Sequence, residues 1–162
     1  MFYSSKIFES VDGISPTTGT ALVGVVNMVA TLLSTLLLSY FGRKSLLWVL
    51  SFLMSGTLVG LGISYVKEVA VLEIVLVLLF VVLFEFSLGP IVWIYMSETM
   101  TEKAVSLGTL ANWLFTILMA LLTPTLLNAI GGYLFIGFGG LCGLCGVFCL
   151  LIVKETKGLT NK

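Results

Sequence analysis

The sequence predicts an all-α protein, a polytopic bundle of transmembrane helices. Of its 162 residues, 59% are hydrophobic and only 10% are charged, and the mean hydropathy is +1.17. Water-soluble domains carry roughly a quarter charged residues. A helix needs about 20 apolar residues to cross a hydrocarbon core, and five such runs follow one another at 18–41, 45–65, 69–95, 104–128 and 132–153. The connections are short, which predicts that successive helices are antiparallel neighbours.

The overall charge and residue content exclude several classes of function. Eight basic and eight acidic side chains give a formal charge of zero, so no basic excess exists to neutralise nucleic-acid phosphates. The chain contains no histidine, which removes the most frequent general base and nitrogen metal ligand. No nucleophile stands beside a base. We therefore expect no nucleic-acid partner, no metal, no cofactor and no enzymatic activity.

The basic residues predict how the helices are oriented, because Lys and Arg in short loops stay on the cytoplasmic side. One face carries most of them, namely Arg43, Lys44, Lys103, Lys154, Lys157 and Lys162. Only Lys6 and Lys67 fall on the other face. We expect residues 154–162 to form a cytoplasmic tail and the first residue to lie outside. Because no signal peptide is visible, the sequence predicts that further helices precede this chain in the full protein.

Glu85 is the ionisable residue deepest within a predicted span. A carboxylate there costs roughly 3 kcal/mol on insertion scales, so it must face a partner, a wet cavity or a proton. It could be a coupling or gating group beside a transport path. It could equally form a salt bridge or hydrogen bond at the cytoplasmic end of its helix, and the sequence leaves both interpretations open.

Gly89 and Pro90 follow Glu85 and predict a kink, since proline lacks an N–H and clashes with the preceding turn. Broken helices in transporters flex between states, whereas many membrane helices hold a static kink. Trp93 lies one turn beyond the predicted kink. Its position favours a gating role for this segment.

Two carboxamides, Asn27 and Asn112, interrupt otherwise apolar helices. Facing lipid they would be unsatisfied, so we expect them to point inward, either as interhelical hydrogen bonds or toward a ligand. Trp113 adjoins Asn112 well inside its span. A tryptophan can anchor a helix at the membrane interface or stack on the apolar face of a pyranose, and this location favours ligand contact.

The last predicted span is rich in small residues. Cys142, Cys145 and Cys149 recur at helical spacing, but without histidine they are better explained by packing than by metal binding. The glycines of the same span are Gly137, Gly139, Gly140, Gly143 and Gly146. Small residues at this spacing let helix backbones approach closely. We therefore expect this helix to pack tightly against a neighbour.

Short motifs also occur in a characteristic order along the chain. The most specific is 85–98, where Glu85, Gly89-Pro90, Trp93 and Ser97-Glu98 keep a defined spacing. The other segments are residues 2–8, Val25-Val26-Asn27, Gly42-Arg43-Lys44, Asn112-Trp113 and Glu155-Thr156-Lys157-Gly158. Together they resemble the sugar porter family of the major facilitator superfamily, over essentially the whole chain.

This resemblance implies a twelve-helix fold of two halves, with a hexose bound between them and alternating access to either side. Residues 1–17 would hold the end of the seventh helix and an extracellular loop, and 18–153 the five-helix bundle of the C-terminal half. The implied sugar-site residues are Asn27, Glu85, Asn112 and Trp113. The implied gating residues are Tyr3, Gly89, Pro90 and Trp93. The implied cytoplasmic charge cluster is Arg43, Lys103, Glu98 and Glu155.

The resemblance also implies partners. They are a hexose, the lipid bilayer and an N-terminal transporter half that this chain lacks. Whether a proton is a second ligand is left open by the sequence. The expected location is the plasma membrane, as a multi-pass protein. An alternative from another class is a truncated, non-transporting membrane protein that associates with or regulates a full-length transporter through its small-residue helix faces.

Overall fold

The computed structural model describes residues 16–156, which are helical with short connections and contain no strand. Six helices follow one another: α1 (Pro16–Tyr40), α2 (Arg43–Val66), α3 (Ala70–Phe86), α4 (Pro90–Thr99), α5 (Glu102–Ile130) and α6 (Tyr133–Leu151). Because α3 and α4 form one apolar stretch, five segments of these residues are long and apolar enough to cross a membrane. The predicted all-α transmembrane bundle is confirmed.

The helices do not simply pack in chain order. The most extensive packing joins α2 to α6, which are far apart in sequence, and α1 packs against α3 rather than mainly against α2. The expectation that successive helices are neighbours is therefore wrong for α1, although it holds for α2 and α3. Short loops limit how far apart the ends of two helices lie, but the matching of side chains decides which faces meet.

Small residues bring α2 and α6 together, as the sequence predicts for the last span. A Cβ atom added at Gly62 would lie 2.6 Å from the carbonyl oxygen of Gly132. Ser55 Oγ donates a hydrogen bond to the carbonyl oxygen of Gly139 at 2.7 Å. Such contacts are possible only where backbones approach without intervening side chains. Cys149 of the same helix is buried in the apolar core, and the three cysteines of α6 are free thiols.

The predicted break at Gly89 and Pro90 is present between α3 and α4. The amide N–H groups of Ser87 and Gly89 both donate to the carbonyl oxygen of Phe84, at 3.1 and 2.9 Å. Regular helical bonding resumes when the Ile91 N–H donates to the Ser87 carbonyl at 3.1 Å. Since Pro90 has no N–H to donate, the hydrogen-bond ladder cannot continue through this point.

The position of Glu85 in the membrane span follows from the length of this broken segment. The stretch runs over Ala70–Thr99, four residues beyond the predicted end at 95. Glu85 follows Ala70 by 15 residues and precedes Thr99 by 14, so it lies midway along this helical stretch. The predicted end of a seventh helix, in residues 1–17, falls almost wholly outside the described residues, as does the predicted gating residue Tyr3.

Candidate functional site

A polar cluster joins α1 to α3 at the level of Glu85. Asn27 Nδ2 donates a hydrogen bond to Glu85 Oε1 at 2.7 Å, and Thr31 Oγ1 donates to Glu85 Oε2 at 2.9 Å. Thr31 Oγ1 also lies 2.8 Å from the carbonyl oxygen of Asn27. Asn27 and Glu85 are half-buried and Thr31 is exposed. The cluster therefore opens onto the surface of this helix pair.

Helical spacing explains why these side chains meet. Asn27 and Thr31 are four residues apart, so they lie on one face of α1. One turn earlier on both helices, Val23 and Val81 are buried in a common apolar cluster. This packing fixes the register of α1 against α3. One turn further along, it places Glu85 beside the two donors.

The hydrogen bonds compensate Glu85 for its apolar surroundings. Placing a carboxylate in a span costs roughly 3 kcal/mol, while each hydrogen bond to a charged group contributes about 1.5–3 kcal/mol. Within residues 16–156 the ion pair is Arg43 with Glu98, and Glu85 takes no part in one. One interpretation of Glu85 from the sequence is a salt bridge or a hydrogen bond, and residues 16–156 contain no salt bridge to Glu85. Hydrogen bonds are present, from Asn27 and Thr31, and a coupling or gating role for Glu85 stays a prediction.

The helix break borders the carboxylate. A Cβ atom added at Gly89 would lie 3.5 Å from Glu85 Oε2 and 3.2 Å from the carbonyl oxygen of Phe84. The break therefore lies directly beside the carboxylate. Pro90 is half-buried and Trp93 is 41% exposed beyond it. The gating role of these residues stays a prediction.

Asn112 and Trp113 lie on α5, which is the least buried helix of this part of the chain, with only Leu127 buried. Trp113 is 56% exposed and Asn112 is also exposed. In the described region no hydrogen bond joins this pair to the Glu85 cluster. The structure therefore leaves both side chains accessible without bringing them to Glu85, and their role in sugar binding stays a prediction.

Charged residues at the end of the bundle contact one another and the start of α2. Arg43 Nη2 pairs with Glu98 Oε1 at 2.9 Å. Glu155 accepts hydrogen bonds from the backbone N–H groups of Arg43 at 2.9 Å and Lys44 at 3.2 Å, so it caps the N-terminus of α2. Lys103 has no ion pair within 16–156. Three members of the expected cluster thus meet, and the place of Lys103 in it stays a prediction.

Sequence reasoning missed Thr31. A threonine inside a helix usually donates to the carbonyl four residues earlier, and this one also lies within reach of that atom. The available signal was its spacing of four residues after Asn27, which places both on one face. Only the packing of α1 on α3 showed that this face meets Glu85.

A bundle of apolar helices with one hydrogen-bonded carboxylate inside an apolar stretch is typical of multi-pass membrane proteins that handle a polar solute. The family model described as "Sugar (and other) transporter" matches residues 1–162. The chain is 38% identical over 176 residues to sugar transporter ERD6-like 6 of Arabidopsis thaliana, covering 99% of this chain and 36% of that protein. It is 34% identical over 172 residues to the facilitated trehalose transporter Tret1 of Aedes aegypti, covering 98% and 21%.

Among solved structures, the proton:xylose symporter XylE bound to 6-bromo-6-deoxy-D-glucose superposes with a TM-score of 0.82 at 27% identity, covering 97% of this chain and 36% of XylE. The chain belongs to the sugar porter family of the major facilitator superfamily. It is a multi-pass membrane protein from a family of transporters and not of enzymes. It spans about a third of the length of ERD6-like 6 and of XylE.

Proposed function

We propose that this chain forms the C-terminal part of a carrier that moves a hexose across a membrane by alternating access. The observation that carries the proposal is the Asn27–Glu85–Thr31 cluster, which holds a carboxylate in the middle of an apolar span. Family membership supports it. ERD6-like 6 is named as a sugar transporter, Tret1 is named for trehalose, and XylE is named for xylose with a glucose derivative bound. All of these ligands are sugars or sugar derivatives, rich in hydroxyl groups.

The chemistry of the cluster suits a sugar. Each oxygen of Glu85 accepts one hydrogen bond from α1, and a carboxylate oxygen has a second lone pair that can accept a sugar hydroxyl. The Asn112 carboxamide can donate to and accept from hydroxyls, and Trp113 can stack on the apolar face of a pyranose. In this proposal α5 closes onto the ligand from the side opposite α1.

The charged contacts around Arg43, at the predicted cytoplasmic end of the bundle, would bias the equilibrium between the outward-open and inward-open states. Arg43 with Glu98, and Glu155 at the start of α2, hold three separate segments together, and they would stabilise the outward-open state with Lys103. The sugar then shifts the populations of the two states because it binds one of them more tightly than the other. The break at Gly89 and Pro90 would supply the flexible point, with Tyr3 and Trp93 at the gates.

The proposed partners are the lipid bilayer, preferably the plasma membrane, and an N-terminal half that completes the cavity. A proton is a proposed second ligand, since XylE is described as a proton:xylose symporter. The alternative of a regulatory membrane protein gains no support from relatives that are named as transporters.

The test is sugar uptake by proteoliposomes. A gene product containing these residues and about seven further helices upstream should take up at least one of D-glucose, D-xylose or trehalose with saturable kinetics. The variant Asn112→Ala should lower uptake, whereas Asn128→Ala, near the end of the same helix, should not. Saturable uptake by the 162 residues alone would refute the need for another half. Failure to transport any of the three sugars would refute the proposed function.

A further inference from the structure

Thr31 contacts the Glu85 carboxylate although its hydroxyl has another acceptor within reach. Thr31 Oγ1 lies 2.9 Å from Glu85 Oε2 and 2.8 Å from the carbonyl oxygen of Asn27. A hydroxyl has a single proton to donate, so the two acceptors compete for it. Thr31 can therefore donate its proton to Glu85 both in the empty site and while the remaining lone pairs of the carboxylate accept a ligand.

Both oxygens of the carboxylate are held from the same helix. Asn27 holds Oε1 at 2.7 Å and Thr31 holds Oε2, one turn further along α1. The packing of Val23 near Val81 fixes α1 relative to α3. Two donors on one helix thus define the plane of the carboxylate. A carboxylate held by one donor would still rotate about its terminal bond. Ligand binding would have to stop that rotation, and the lost entropy would weaken the affinity.

We propose that Thr31 is a positioning residue for sugar recognition. It orients Glu85 so that the remaining lone pairs of the carboxylate accept one particular sugar hydroxyl. This inference rests on the proposed function as a sugar carrier. Thr31 acts through Glu85, and its loss weakens the discrimination of that one hydroxyl more than the recognition of the rest of the sugar.

The first measurement separates sugar affinity from turnover. Initial rates of D-glucose uptake are measured in liposomes that contain the full gene product. Thr31→Val keeps the shape of the side chain and removes the hydroxyl, and it should raise KM about tenfold with kcat within about twofold. Thr31→Ser should restore KM toward the wild-type value. Thr57→Val is the matched control, because the Thr57 hydroxyl donates to the Leu53 carbonyl at 2.9 Å without a carboxylate partner, and it should leave KM unchanged.

The second measurement is one that a purely structural role would not change. The inhibition of D-glucose uptake is measured with each monodeoxy-D-glucose in turn. In the wild type, the deoxy-sugar that lacks the hydroxyl bound by Glu85 should be the weakest competitor. In Thr31→Val this penalty should shrink for that hydroxyl and persist for the others. A wild-type KM and an unaltered deoxy-sugar profile in Thr31→Val would overturn the role of Thr31 and leave the proposed function standing. Equal behaviour of Thr31→Ser and Thr31→Val would also overturn it, and a wild type that transports no sugar would overturn both proposals.

Discussion

Two adjacent glycines of α6 should respond in opposite ways to the same substitution. Gly139 is buried against α2, whereas Gly140 is exposed. A Cβ atom at Gly139 would lie 2.8 Å from Val59 Cγ2 and 3.0 Å from the Ser55 carbonyl oxygen, while a Cβ atom at Gly140 meets nothing within 4 Å. We predict that Gly139→Ala destabilises the bundle and that Gly140→Ala does not.

The size of the difference follows from these contacts. Alanine raises helix propensity over glycine by about 0.5–1 kcal/mol at either position, so this gain cancels when the two variants are compared. At Gly139 the nearest atoms are a backbone oxygen and a β-branched side chain, whose rotamer is restricted in a helix. The two helices must therefore separate, at a cost of roughly 1–3 kcal/mol. Separation also lengthens the 2.7 Å bond from Ser55 to the Gly139 carbonyl.

The assay is reversible unfolding of the purified chain in mixed detergent micelles, titrated with sodium dodecyl sulfate and followed by circular dichroism. Gly139→Ala should unfold at lower denaturant than Gly140→Ala, by a difference in unfolding free energy of about 1–3 kcal/mol. Equal midpoints for the two variants would mean that α2 and α6 do not approach closely at Gly139. A loss of stability in Gly140→Ala alone would mean that the face of α6 that carries Gly140, and not the face that carries Gly139, contacts α2.

Two further predictions concern the charged end of the bundle and use the same unfolding assay. Arg43→Gln and Glu98→Gln should each lower stability. A double-mutant cycle should give a coupling energy of about 0.5–1 kcal/mol for this largely shielded pair. Strictly additive effects of the two substitutions would contradict the contact. A side chain at Gly42 would overlap the Glu155 carboxylate, so Gly42→Ala should remove the cap of α2 and cost about 1–2 kcal/mol. Gly24→Ala, inside α1 with nothing within 4 Å, should not destabilise, and equal losses of stability at both glycines would count against the cap.

The candidate site was only partly predictable. The sequence identifies Asn27 and Glu85 as candidate site residues, because polar groups in apolar helices are costly and need partners. Their direct hydrogen bond, and the part of Thr31, depend on the register between α1 and α3. Glu155 illustrates the same limit, since its charge is plain from the sequence but the backbone N–H groups of α2 that donate to its carboxylate are not.

The sequence by itself determined the properties that arise within a single stretch of chain. Apolar run lengths set the number of membrane-length helices, and the missing N–H of Pro90 set the break, because both depend only on residues close in sequence. Tertiary structure decided which helices and which faces meet. Gly139 and Gly140 have the same chemistry, yet one lies against α2 and the other is exposed, because contact between distant helices depends on how their surfaces fit along the whole length of the seam.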